Sequence, residues 1–208
     1  MSRFAAWYVN LDSRPDRRER MERELARVGV EAERFPALRP DAYDGPPERI
    51  AAMLARPQRG AIGCWLSQRA VLMLGLELGG ERDVLVLEDD VEFCDDLGER
   101  IDYCYDRLLV VDPEWDVLSL GACFHVPAVW HAADAIRRDA EPTLDPRIVR
   151  VYGSWFTWAW IVRRGSLERV VSLLDEVLPV SWGIDHSFIL LGDRVRAYCF
   201  VQIGKSVV

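Results

Sequence analysis

Apolar residues along this chain fall into two patterns, short unbroken runs and longer stretches at helical spacing. Phe4–Val9 reads as a first strand. Ser13-Arg14-Pro15-Asp16 then reads as a helix start, with serine as the cap and proline in the first turn. Met21, Leu25 and Val28, at i, i+4 and i+7, give that helix a core-facing stripe that Gly29 ends. A short strand over Glu33–Leu38 and a modest helix over Glu48–Ala55 follow. A long helix opens near Gly60 and continues to about Leu78, with Leu66, Ala70 and Met73 as its expected buried face and Gly79-Gly80 as its stop. Val84–Leu87, four branched apolar residues in a row, reads as a strand covered on both faces.

Past that strand, Leu97, Ile101, Cys104 and Leu108 mark one side of a helix over Asp95–Leu109. Strands are expected at Trp115–Gly121, Ile148–Tyr152 and Trp158–Val162. Leu167, Val170, Val171, Leu174 and Val177 describe a helix that stops at Pro179. Ser181–His186 is a loop entering a helical turn, and Val195–Val201 is the last strand. Ala122–Pro146 breaks the regular pattern, as binding loops do. Strand and helix alternate through the first half, which implies an α/β fold with a mainly parallel central sheet flanked by helices.

The chain has 208 residues, half of them hydrophobic and 29% charged, enough for one domain with an ample core. Its net charge of −8 gives no electrostatic footprint for nucleic acid. No apolar run approaches the ~20 residues of a bilayer span, and the amino terminus is too brief for a signal-peptide core. The expectation is a cytoplasmic protein, compatible with peripheral membrane association through partners. The five cysteines are scattered, with no C-x-x-C pair, and read as reduced thiols rather than as a zinc or disulfide frame.

Candidate chemistry begins where the Val84 strand ends, at Glu88-Asp89-Asp90. Acids at the carboxyl edge of a buried strand lie where open α/β sheets bind ligands. Three adjacent carboxylates need solvent or a cation to offset their repulsion, and all-oxygen donors suit Mg²⁺ or Mn²⁺ with a substrate phosphate. A solvated acidic turn fits the local pattern equally well. Arg14, Arg17 and Arg18 near a helix start could meet an anion. With Glu19, Glu22 and Glu24 beside them, they also read as a charged surface face. Gly60 and Gly63 would let a ligand or a neighbouring strand approach the backbone closely.

Four segments, in order, resemble the family-25 glycosyltransferases, which include bacterial lipooligosaccharide and collagen galactosyltransferases. They are Val9–Asp12 with Arg14–Arg18, Gly60–Ser67, Leu87–Val91, and Trp158–Val162 before Arg164-Gly165; Pro179 with Asp185 is a weaker fifth. The resemblance implies a GT-A-like fold, with residues 1–121 binding the nucleotide sugar and residues 122–208 binding the acceptor. It also implies a UDP-sugar donor, a divalent cation (Mn²⁺, or Mg²⁺) and inversion at the anomeric carbon. On that match Asp90 ligates the metal, and Glu88 meets the ribose or the metal and its water shell, with Asp89 between them. Asn10, Leu11, Arg17 and Ala37 line the nucleotide, and Gly60, Gly63 and Ser67 line the donor side. The family usually has histidine after that serine. Here Gln68 stands there, which either alters donor or metal use or keeps a hydrogen bond within the helix.

Inverting transfer needs a base for the acceptor hydroxyl, and Asp185 is the candidate, with His186 as the alternative base or a further metal ligand. Asp185 also fits a helix N-cap. Trp182 and Gly183 beside it could stack a sugar face. Trp158 and Trp160, two apart on one strand, are expected to point the same way, with Trp155 freer to contact sugar; His125 and His131 read as loop residues. The expected activity is metal-dependent transfer of a hexose, galactose or glucose, from a UDP-sugar to a glycan, lipid-linked or peptide acceptor. The alternatives are a catalytically weak domain that binds a sugar nucleotide or a protein partner and, more remotely, a nucleotidyltransferase.

Overall fold

The computed structural model describes residues 3–43, 45–55, 60–121, 140–152 and 157–200. Trp130, His125, His131, Trp155 and Cys123 lie outside them. Eight strands form one sheet: β1 (Phe4–Asn10), β2 (Glu33–Pro36), β3 (Asp83–Glu88), β4 (Val117–Ser119), β5 (Ala140–Pro142), β6 (Ile148–Val151), β7 (Ala159–Val162) and β8 (Ala197–Phe200), in the order β2-β1-β3-β7-β4-β8-β6-β5. The helices are α1 (Pro15–Val28), α2 (Ala51–Leu54), α3 (Gly60–Leu78), α4 (Leu97–Val111), α5 (Leu167–Val177) and α6 (Ile184–Leu191), with short 3₁₀ turns between several elements.

The α/β class holds, but the sheet is mixed rather than mainly parallel. β1 runs parallel to β2 and β3, and β4 to β8, whereas β7 is antiparallel to β3 and β4, and β6 to β5 and β8. Parallel pairing needs a crossover element. Helices supply one between β1, β2 and β3. Between β5 and β6 no helix intervenes, and that pair is antiparallel.

The alternation of β3 assigns each side of the sheet its helices. Val84 and Val86 face one core with Trp7, Trp65, Leu72, Trp160, Val170 and Phe188, which brings α3, α5 and α6 onto that side. Leu85 and Leu87 face the other with Met21, Leu25, Ile101, Cys104 and Leu108, which brings α1 and α4 onto the opposite side. Each such leucine, fully buried, contributes about 2 kcal/mol of transfer free energy. The stripes expected on α4 and α5 are the buried ones.

Three expectations of detail are corrected. The long helix α3 buries Ile62, Trp65, Ser67, Gln68, Val71, Leu72 and Gly75, while Leu66, Ala70 and Met73 are only partly covered. Apolar residues occur all round α3, so spacing alone could not select a face. At 19 residues it is also long and apolar enough by composition to cross a bilayer, although it packs here against the sheet. The cap of α1 is Arg14, not Ser13: Arg14 N–H closes a turn onto Leu11 C=O at 2.9 Å, so the helix starts one residue later, at Pro15. Finally, Trp158 and Trp160 face opposite cores, because Trp158 lies in the turn before β7 and the strand's period does not reach it.

Candidate active site at the ends of β1 and β3

The parallel register sets Val9 opposite Glu88, so β1 and β3 end at the same edge. The residues that follow are therefore neighbours. Asn10, 1% exposed, donates from Nδ2 to Oδ2 of Asp89 at 2.7 Å and to Arg14 C=O at 3.1 Å. Its Oδ1 accepts from Arg34 Nε at 3.0 Å. The side chain thus has partners for both its oxygen and its nitrogen, and it fixes Asp89 from below. Asn10 is a support under the cleft rather than a lining residue.

α1 starts at this edge and aims its first turn at the acids. Arg17 Nη1 donates to Asp89 Oδ1 and to Asp90 Oδ2, both at 2.9 Å. Arg14 chelates Asp16, whose carboxyl is held down to about 2 chiefly by that bond. Arg18 pairs with Glu22 one turn on, so it belongs to the charged surface face. Arg14 and Arg17 stand at the sheet edge instead, each paired with acids of the chain itself.

The opposite wall is the first turns of α3. A Cβ on Gly63 would lie 2.5 Å from Leu38 C=O, so only glycine lets the loop after β2 pass so close. Ser67 ties the same contact: its Oγ accepts from Leu38 N–H at 2.7 Å and donates to Gly63 C=O at 2.6 Å. Its hydroxyl proton is committed to that contact, so Ser67 acts on the cleft by holding this loop.

Between the two walls is a cleft of about 500 Å³. Leu11, Arg17, Ala37, Gly60, Gly63, Ser67, Gln68, Glu88 and Asp89, all named above as candidates, line it. Arg14, an anion candidate above, also lines it, as do Val9, Leu38, Arg39, Pro40 and Cys64, to which the sequence gives no site role. Glu88 is the most perturbed acid there. Burial, then the charges of Asp185, Asp90 and Asp89, raise its carboxyl to about 7, while a hydrogen bond from Cys64 works the other way. Gln68 Nε2 donates to Glu88 Oε1 at 2.9 Å and Cys64 Sγ lies 3.3 Å from the same oxygen.

Asp185 does not line the cleft but is close enough for its charge to act on both Glu88 and Cys64. It stands in the first turn of α6, and the N-cap is Gly183, so the capping reading is wrong. Its Oδ1 accepts from Thr157 N–H at 3.0 Å, which links the start of α6 to the turn before β7. Ring centroids of His186 and Trp182 are 3.9 Å apart and nearly parallel, and His186 Nδ1 accepts from Trp182 N–H at 3.2 Å. In neutral His186 that bond leaves the ring proton on Nε2.

Among the described residues, no three His, Cys, Asp or Glu side chains form a group that could hold a metal alone. Carboxylate-poor sites of Mg²⁺ and Mn²⁺ are completed by substrate phosphates and water. Asp90, half-exposed beside Arg17, fits that kind of incomplete site.

A profile described as glycosyltransferase family 25 (LPS biosynthesis protein) matches residues 5–135. A Drosophila melanogaster protein, "Glycosyltransferase 25 family member", is 38% identical over 191 residues, covering 83% of this chain and 28% of that protein. One of the same name from Drosophila pseudoobscura pseudoobscura is 35% identical over 100 residues, covering 41% of this chain and 15% of its own length. The chain thus spans less than a third of the curated relatives it matches. A crystal structure of a glycosyltransferase involved in the glycosylation of the major capsid of PBCV-1 superposes with a TM-score of 0.46 at 10% identity, over 94% of this chain and 81% of the other. By its matching profile and the motifs gathered around this cleft, the chain belongs to glycosyltransferase family 25.

Proposed function

We propose that this chain is a glycosyltransferase that moves a hexose from a UDP-sugar to a hydroxyl of a glycan or glycoconjugate, with inversion and with a divalent cation. The observation that carries this reading is the pairing, in one cleft, of apolar walls with cationic and anionic groups. Val9, Leu11, Ala37 and Leu38 suit a nucleoside, Arg14 and Arg17 a diphosphate, and Glu88 the hydroxyls of a ribose. Asp90, with Glu88 through water, would hold a Mn²⁺ or Mg²⁺ ion that offsets charge on the leaving diphosphate.

In the transfer, the acceptor oxygen forms a bond to the anomeric carbon as the bond from that carbon to the diphosphate oxygen breaks. Arg17 offsets the negative charge left on the diphosphate. The acceptor proton passes to Asp185, whose backbone partner at Thr157 orients its carboxylate. Trp182, 40% exposed beside Asp185, supplies a face for a sugar ring. The family's description points to a lipopolysaccharide or lipid-linked acceptor, for which a cytoplasmic protein at the membrane surface is the fitting setting.

The test is UDP release from UDP-galactose and UDP-glucose with Mn²⁺, with and without Asp90→Ala. Turnover that the substitution abolishes supports the reading. Failure of calorimetry to detect binding of any UDP-sugar removes it. One observation favours the second reading, a catalytically weak binding domain: Arg17 forms ion pairs with both Asp89 and Asp90. Binding of UDP-sugar without turnover would select it.

A further inference from the structure

The Gln68 amide has a fixed direction. Trp160 and Gln68 are both 0% exposed, and the indole Nε1 lies 2.7 Å from Gln68 Oε1. An indole N–H can only donate, so the atom facing it must be the amide oxygen. The amide nitrogen is thereby turned the other way, onto Oε1 of Glu88 at 2.9 Å and toward Cys64 Sγ at 3.3 Å. Cys64 stands one helical turn before Gln68 on α3 and contacts the same Glu88 oxygen. Oε1 of Glu88 therefore carries both contacts, and Oε2 receives no hydrogen bond among the described residues.

We propose that Gln68 is the positioning residue of the donor cleft: set by Trp160 from behind, it clamps one oxygen of Glu88 and leaves Oε2 as the atom that Glu88 offers to the nucleotide sugar. The inference rests on the cleft being a UDP-sugar site. A side chain at 68 has to satisfy a buried donor on one side and a buried acceptor on the other. Glutamine does both in one rotamer without changing charge. An apolar residue of equal length would orphan the Trp160 indole and release Glu88. Two elements that are distant in sequence, α3 and β7, thus meet at one carboxylate of β3.

Calorimetric titration of UDP-galactose or UDP-glucose, with Mn²⁺, reads the effect. Gln68→Met is expected to weaken binding by tenfold or more, and Trp160→Phe, which leaves the amide without its anchor, by several-fold. In a Glu88→Ala background, Gln68→Met should change affinity by less than twofold, because its action passes through Glu88. A purely structural role would lower the melting temperature but leave the two effects on affinity additive. Should Gln68→Met fail to fold, Trp160→Phe alone and with Glu88→Ala carries the same test. Wild-type affinity in a folded Gln68→Met, or additivity with Glu88→Ala, overturns the clamp while the site stands. No binding by the wild-type protein overturns both.

Discussion

Arg17 Nη1 lies 2.9 Å from Oδ2 of Asp90, the same distance it keeps from Oδ1 of Asp89. One guanidinium nitrogen therefore holds both Asp89 and the acid proposed above as the cation's ligand, Asp90. It is also a cationic group in the cleft suited to a diphosphate. These roles oppose each other. Arg17→Met should raise Mn²⁺ affinity of the nucleotide-free protein by roughly 3- to 10-fold and lower UDP affinity by about tenfold, the loss of one charge-assisted contact. Calorimetry with Mn²⁺ alone and with UDP separates the two. Unchanged Mn²⁺ affinity would remove Asp90 from the ligand set.

Asn10 supports the same acids from beneath the cleft. Its amide bonds Asp89 and the Arg14 carbonyl while accepting from Arg34. Asn10→Leu fills similar volume but strands a buried carboxylate oxygen and part of the Arg34 fork. The expected destabilisation is about 2–3 kcal/mol, the cost of an unmade bond to a charged group. Urea denaturation measures it. A change below about 0.5 kcal/mol would show that water replaces the amide without loss.

Much of this arrangement was legible in the residues, for identifiable reasons. β3 announces itself as a strand because four branched apolar residues can face two cores at once, and the acids at its end must then lie at the sheet edge. α4 and α5 show their buried faces because each has a polar side. α3 does not, so its spacing points to Leu66, Ala70 and Met73, which are only partly buried, rather than to the fully buried Ile62, Trp65, Val71 and Leu72. The support under the acids was hidden for another reason. Asn10 reaches Asp89 through parallel pairing of β1 with β3, a contact across 79 residues that no local pattern encodes. Trp160 as the anchor of Gln68 was missed too, although a buried indole always raises the question of its partner.

The two glycines that open α3 separate packing from flexibility. A methyl on Gly63 would meet Leu38 C=O at 2.5 Å, a backbone atom that cannot step aside alone. A methyl on Gly60 meets nothing within 4 Å. Gly63→Ala should therefore cost about 1–3 kcal/mol by overpacking and weaken nucleotide binding as the Leu38 loop shifts. Gly60→Ala should be neutral or gain up to about 1 kcal/mol, because alanine is the better helix former. Thermal melts of both variants, each with and without UDP, check the contrast. Equal behaviour of the pair would mean that the loop after β2 is not held by this contact.

Glu88 should make the metal-free protein lose stability as pH rises from acid to neutral. Burial is the main cause of its raised carboxyl, from an ordinary 4.5 to about 7. Between those two values the folded chain keeps a proton that the unfolded chain has lost, so stability falls with increasing pH through that window. Below 4.5 both states are protonated and the stabilising contribution is whole; above 7 both are ionised and the loss is complete and constant. The difference of about 2.5 in pKa corresponds to at most about 3 kcal/mol. Glu88→Gln keeps an acceptor for Gln68 and Cys64 but cannot titrate. Urea denaturation in chelator-containing buffer at pH 5, 6, 7 and 8 should then show the wild-type protein declining relative to this variant, with most of the separation gained between pH 5 and 7. Curves that stay parallel across that range would mean that Glu88 is ionised in the folded chain throughout, with its charge met by Gln68, Cys64 and solvent.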